Sequence, residues 1–280
     1  MKRAVVLCAL ALIASGSAQS ATPRIPAFKH VFVIVFENKE VGKVSGSRSA
    51  PTFNLYGRAY ARLTQSYAVA HPSLPNYLAL VSGSTFGIRS DCTDCLVSAR
   101  SLADTIEASG RTWKTYAEDL PHVGYLGAFS GNYAKKHEPF AYFHPIVDRP
   151  QRLRRIVPFR ELSTDLAADT LPDFAFVVPN MCNSMHDCSV STGDRWLRKT
   201  VAPLLRLPQT VVFVTFDEGD SSLRGGGHIT TLALGTAVKR HAVFRSVTTH
   251  YGLLRTIEDA WGLPRLGASA RATPITGIWR

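Results

Sequence analysis

Acidic and amide residues close two apolar runs of this chain, and a proline-flanked serine lies between those runs in sequence. Glu37-Asn38 follows Val31-Phe32-Val33-Ile34-Val35-Phe36, and Asp217-Glu218 follows Val211-Val212-Phe213-Val214-Thr215-Phe216. Carboxylates gathered in one place repel each other unless a cation or a proton neutralises them. Glu37, Asn38, Asp217 and Glu218 therefore form a candidate metal site, with Ser73 completing an oxygen-rich set. Such ligands suit a hard divalent ion, Ca²⁺, Mg²⁺ or Mn²⁺, and histidines nearby would tolerate Zn²⁺ or iron. The chemistry this suggests is metal-dependent hydrolysis.

Ser73 is the candidate nucleophile. In His71-Pro72-Ser73-Leu74-Pro75-Asn76 it falls where a turn runs into a helix. Backbone N–H groups and the helix dipole at that point favour an anion, either a phosphate or a seryl alkoxide. Taken alone, the serine would be an ordinary N-cap. Beside two acidic strand ends, the nucleophile is the better reading. Asn76 shares a helix face with Ser73 and is expected to donate to a phosphoryl oxygen. His71 is a weaker candidate for substrate contact, since it can simply pack against the turn.

A second loop, Asn180-Met181-Cys182-Asn183-Ser184-Met185-His186-Asp187-Cys188, carries further candidates. His186 can act as general acid for a leaving alkoxide, Asp187 can orient it or bind metal, and Asn180 can bind substrate. A lone His-Asp pair in a loop is usually a surface turn, so its value depends on where the loop opens. His228, after Gly225-Gly226-Gly227, is expected to complete the site. That glycine run is not a P-loop, because no Gly-Lys-Ser/Thr follows.

These residues need a frame. Near-continuous apolar runs suit strands buried on both faces, as in a parallel sheet. Strands are expected at 31–36, 174–178, 211–216 and 229–234, with an extended segment at 112–117. Helices are expected after Pro51, from the Ser73 turn, over 102–109, from Gly193-Asp194 through about 205, and over 249–261. This alternation predicts an α/β fold with a mostly parallel central sheet and helices on both faces. Sites in such sheets lie beyond the carboxyl ends of the strands, which would bring both acidic pairs to one edge. Residues 118–160 read as a loop excursion near the site.

The segments Phe36-Glu37-Asn38, His71 to Leu80, Ala117 to Pro121, Pro179-Asn180 with Met185-His186-Asp187, Gly193 to Leu197, Phe216-Asp217-Glu218 and His250-Tyr251 occur in this order. In this the chain resembles the bacterial phosphoesterase family of secreted acid phosphatases and phospholipases C, most of all its members acting on phosphoinositides. The resemblance implies an alkaline-phosphatase-like fold, metal binding at Glu37, Asn38, Asp217 and Glu218, and Ser73 as nucleophile. The first motif departs from the family: Lys39-Glu40 stands where relatives often carry Arg or His followed by Ser.

The 280 residues suffice for one large α/β domain, expected over 22–280. Residues 1–21 read as a signal peptide, with Lys2-Arg3, an apolar run and small residues from Ser15 to Ala18. That run is shorter than the ~20 residues of a spanning helix, so export to the periplasm or beyond is expected. Net charge is +11, or +9 without Lys2 and Arg3, which favours anionic partners. A small phosphate ester or a phosphoinositide is the expected substrate, with peripheral contact to anionic membrane and no nucleic acid. Arg149, Arg152, Arg154, Arg155 and Arg160 read as a solvated basic loop rather than a dedicated patch. Cys8 falls in the leader, and the remaining cysteines suggest local disulfides, Cys92 with Cys95 and Cys182 with Cys188.

The leading function is a phosphomonoesterase working through a phosphoseryl intermediate. A phospholipase C-type phosphodiesterase is the enzymatic alternative, and a secreted module that binds anionic lipid the non-enzymatic one. A sulfatase is excluded, because Asn76-Tyr77 stands where that signature needs its arginine.

Overall fold

The computed structural model describes residues 25–280. The expected signal peptide lies outside the described residues. Among the described residues no helix is long and apolar enough to cross a membrane.

The central sheet has eight strands: β1 (His30–Phe36), β2 (Ala61–Leu63), β3 (Trp113–Ala117), β4 (Ile156–Pro158), β5 (Phe174–Val178), β6 (Thr210–Phe216), β7 (Thr231–Leu234) and β8 (Ala242–Phe244). Their spatial order is β8-β2-β7-β6-β1-β5-β3-β4. Only β7 runs against its neighbours, β6 and β2. All other pairings are parallel.

Among the described residues six helices of at least seven residues flank the sheet: α1 (Pro51–Ala59), α2 (Ser73–Ser82), α3 (Leu102–Ala108), α4 (Glu161–Ala167), α5 (Val190–Leu204) and α6 (His250–Trp261). Successive side chains of β1 point to opposite faces, and both faces are covered. Val31, Val33 and Val35 pack with Leu74, Leu78, Leu254 and Ile257 of α2 and α6. Phe32, Ile34 and Phe36 pack with Phe53, Leu197 and Val201 of α1 and α5. Two cores, one on each face, explain why β1 and β6 are apolar without alternation. The α/β layout expected from sequence, a mostly parallel sheet with helices on both faces, is the one found.

Several boundaries differ from expectation. The strand expected over 229–234 starts at Thr231 and is the antiparallel one. The helix expected from Gly193-Asp194 begins at Val190, because the Ser189 side chain accepts from Thr192 N–H and caps it. The 118–160 excursion holds a small hairpin (Phe129–Ser130 with Tyr133–Ala134) and ends in β4, one of the sheet's two edge strands. Strands β2 and β8 are three residues each, too short for a periodic signal. Both local disulfides form as the spacing suggests, Cys92–Cys95 and Cys182–Cys188.

Candidate active site

The pairing of β1 with β6 sets the site. Their register matches Phe36 with Phe216, so Glu37 and Asp217 leave the sheet side by side. Asp217 N–H donates to the Phe36 carbonyl at 2.8 Å. Asp217 Oδ1 then accepts from Asn38 N–H at 2.9 Å and from Glu218 N–H at 2.6 Å. Both carboxylates are fully buried.

Helix α2 brings the serine. Pro72 is its N-cap residue and Ser73 its first residue, and the helix ends at Gly83 in the left-handed region (φ 71°). A contact with the Leu266 carbonyl leaves no room there for a Cβ. Every residue of α2 is buried, so the helix is fixed and its first turn aims at the sheet edge. Ser73 Oγ donates to Glu37 Oε2 at 3.2 Å. The other Glu37 oxygen, Oε1, accepts from the Tyr77 hydroxyl one helical turn on.

Asn76 has a different task from the one expected. Its Oδ1 accepts from Val69 N–H (3.0 Å) and Ala70 N–H (3.1 Å). Its Nδ2 donates to the Ala70 and Pro72 carbonyls at 2.8 and 3.2 Å. The amide is thus committed to the turn that delivers Ser73, and no donor remains for a phosphoryl oxygen. His71 Nδ1 sits 2.5 Å from Glu218 Oε2, with Nε2 3.1 Å from the Ser221 carbonyl.

The Asn180–Cys188 loop opens on the same edge, where Glu37 N–H donates to the Ser184 carbonyl at 2.9 Å. His186 Nδ1 lies 2.6 Å from Asp187 Oδ1, so Asp187 orients the ring. His186 Nε2 lies 3.4 Å from Lys136 Nζ. Asn180 is absorbed by its own loop: Nδ2 donates to Asp119 at 2.9 Å, and Oδ1 accepts from the N–H groups of Cys182 and Asn183. His228 does not join the site. Its ring stacks on Tyr67 with centroids 4.8 Å apart, and its Nε2 faces the Thr64 carbonyl at 3.1 Å.

Residues outside the expected set complete the surroundings. His137 stacks on Tyr77 at 5.3 Å, and its Nε2 lies 3.3 Å from Glu37 Oε2. Lys136 Nζ donates to Asp91 Oδ2 at 2.8 Å, while Asp91 Oδ1 accepts from Leu74 N–H at 3.0 Å. Asp91 so links the start of α2 to the lysine beside His186. His250, first residue of α6, places Nε2 2.6 Å from the Asp217 carbonyl. Lys136 and His137 lie in the loop excursion, where no periodicity marks them. Tyr77 is readable as a motif residue but not as a partner of Glu37.

The electrostatics follow from burial. Desolvation, then the charge of Asp217, holds the Glu37 carboxyl well above its ordinary range. Burial likewise raises Asp217. Burial and Asp217 push Glu218 up to about 7. Burial, Lys136 and His186 keep His137 neutral, and burial lowers His250 to about 4. Two adjacent buried carboxylates with raised affinity for a positive charge suit a cation. Asn38 Oδ1 and Asp217 Oδ2 are buried without a hydrogen-bond partner, which a metal ion would supply. Glu37, Asn38, Ser73 and Asp217 thus offer a fitting donor set, with Glu218 held to one side by His71. No group of three or more His, Cys, Asp or Glu is arranged as a metal site among the described residues.

A profile of the phosphoesterase family matches residues 46–264, a span that includes Ser73 and Asp217 and begins after Glu37-Asn38. A phosphatidylinositol-3-phosphatase from Mycobacterium tuberculosis is 36% identical over 263 residues, covering 92% of this chain and 85% of that protein. An acid phosphatase from Aspergillus fumigatus is 34% identical over 220 residues, covering 73% of this chain and 49% of its own length. The chain therefore spans about half of that fungal protein. Among solved structures, an alkaline phosphatase superfamily protein from Vibrio parahaemolyticus superposes with a TM-score of 0.60 at 11% identity, covering 89% of this chain and 71% of its own. The soluble domain of lipooligosaccharide phosphoethanolamine transferase A from Neisseria meningitidis gives a TM-score of 0.57 at 10% identity, covering 94% and 95%. These two likenesses concern the fold. The chain belongs to the phosphoesterase family and is a hydrolase of phosphoric esters.

Proposed function

We propose that this hydrolase is a metal-dependent phosphomonoesterase that works through Ser73. The observation that carries the reading is the 3.2 Å hydrogen bond from Ser73 Oγ to Glu37 Oε2 at the first residue of a buried helix. A serine there is fixed in direction, faces the positive helix end, and adjoins the carboxylates that would hold a cation. Glu37, Asn38, Asp217 and Ser73 would hold it, with Glu218 adjoining. Such an ion would supply Lewis-acid charge, favouring the seryl alkoxide and drawing in a phosphoryl oxygen.

The chain's own groups then account for the steps. Ser73 reacts as the alkoxide, its proton lost to solvent beforehand, and Oγ forms a bond to phosphorus as the bond to the leaving alkoxide breaks. Asp187 holds His186 by Nδ1, and Nε2 shares a proton with the Lys136 ammonium 3.4 Å away. That proton goes to the leaving oxygen. Neutral His186 then accepts a proton from the water that attacks phosphoserine. Lys136, anchored by Asp91, puts a positive charge beside His186 where a phosphate monoester dianion needs one.

The named activities of the relatives support small phosphate esters, phosphoinositides among them, as substrates. Two disulfides and the leader-like start of the sequence support action outside the cytoplasm. The test compares nitrophenyl phosphate with nitrophenyl phosphorylcholine across a pH series, with the metal-loaded protein. Faster release from the monoester is expected. Faster release from the diester would make the phospholipase C-type reading the correct one.

A further inference from the structure

Two loops that leave the carboxyl edge of the sheet around Ser73 present large apolar side chains to solvent. The excursion after β3 exposes Val123 and Phe129, the latter at 61%. The loop after β6 exposes Leu223 at 54%. Both loops are fastened to the site. Asn132, in the turn of the Phe129 hairpin, accepts from Met181 N–H at 2.8 Å, which joins the hairpin to the His186 loop. Ser221, two residues before Leu223, offers its carbonyl to His71 at 3.1 Å.

Arginines accompany these apolar tips. Arg224 follows Leu223 and is exposed, with its guanidinium 5.0 Å from the Tyr67 ring centre. Gly124 N–H donates to the Ile156 carbonyl at 2.9 Å, and exposed Arg154 stands two residues before Ile156 in the chain. The acid on the Leu223 loop, Asp220, is already paired with Lys43 at 2.6 Å. Arg152 of the same basic cluster is buried against Asp104 and Glu107, so it is not part of this surface.

We propose that this rim docks on an anionic bilayer, with Phe129, Val123 and Leu223 entering the interface and Arg224 and Arg154 meeting lipid phosphates. Separate apolar tips with exposed arginines among them suit the headgroup layer of a membrane; a protein partner is matched by a contiguous apolar patch. The net charge, +11 for the whole sequence and +9 without Lys2 and Arg3, adds long-range attraction to an anionic surface. Docking in this pose turns the mouth of the Ser73 site toward the headgroups, which deepens the phosphatase reading by making the substrate a membrane-held phosphate monoester. In that respect the inference rests on that reading.

The experiment uses the full protein and vesicles of phosphatidylcholine, with or without phosphatidylserine. Wild type is expected to co-sediment with the phosphatidylserine vesicles and to be released by salt. The double variant Phe129→Ser with Leu223→Ser should bind them about tenfold more weakly or worse. Its turnover of soluble nitrophenyl phosphate should be unchanged, while turnover of a phosphoinositide presented in vesicles falls with binding. Leu55→Ser, at an equally exposed position on α1, should change neither. Unaltered vesicle binding in the double variant, equal binding to phosphatidylcholine alone, or an equal loss in Leu55→Ser would overturn the proposal. A wild-type dimer that the double variant abolishes would also overturn it, by assigning the rim to a second copy. If wild type binds vesicles but hydrolyses no nitrophenyl phosphate, docking stands and the phosphatase reading falls.

Discussion

The hydroxyl of Ser73 and the carboxylate of Glu37 meet at 3.2 Å although 36 residues separate them in the chain. One sits at the first residue of α2 and the other just past β1. In the proposed mechanism their meeting sets where a phosphoryl group lies to react.

Ser73→Ala should reduce phosphomonoester turnover by about three orders of magnitude or more while leaving the thermal melt near wild type. Rapid acid quench of wild type with labelled substrate should yield phosphoserine, and the variant none. Near-normal turnover in a folded variant would exclude the covalent mechanism.

Glu37→Gln and Asp217→Asn should each lose bound divalent metal and activity together. Both carboxylates are buried and drawn toward positive charge by that burial. A chelator should do the same to wild type, reversibly on adding metal. Full metal content by elemental analysis in both variants would refute the ligand assignment.

Tyr77→Phe removes the hydroxyl that donates to Glu37 Oε1 and nothing else at the site. Partners of metal ligands are worth roughly 10- to 100-fold in metal affinity. The variant should therefore need more metal for half-maximal activity and recover much of its rate at saturation. An activation curve identical to that of wild type would show that the hydroxyl plays no such part.

Glu138 is buried, and burial pushes its carboxyl up to about 8. Its Oε1 accepts from Thr115 Oγ1 and Phe140 N–H, both at 3.2 Å, while buried Oε2 has no partner. The folded protein thus holds a proton that the unfolded chain releases above its ordinary value of ~4.3. Stability from this group is full below that value and is lost as pH rises toward 8. The loss is on the order of 4 kcal/mol at the upper end. Glu138→Gln should remove that dependence and melt higher than wild type at pH 8. Parallel pH–stability curves for the two proteins would contradict the assignment.

The legibility of the site tracks the length of its elements. β1 and β6 announce themselves because burial on both faces demands unbroken apolar runs, and their acidic ends point to a metal by residue type alone. The disulfides are readable because each joins cysteines close in sequence. Lys136 and His137 are not, because an irregular excursion carries no period. His228 follows a glycine run that carries no period, and its ring packs on Tyr67.

By itself the sequence determined that buried parallel strands end in carboxylates and that a constrained serine opens a helix, since apolar pattern and proline placement are local properties. Only the tertiary structure decided which of these groups touch. The β1–β6 register places Glu37 beside Asp217, and the packing of α2 turns Ser73 and Tyr77 onto opposite oxygens of Glu37. It also decided that Asn76 serves the turn and not the substrate. A side chain's partners are set by which backbone groups the folded chain leaves unsatisfied around it, and those depend on contacts between segments that no local pattern encodes.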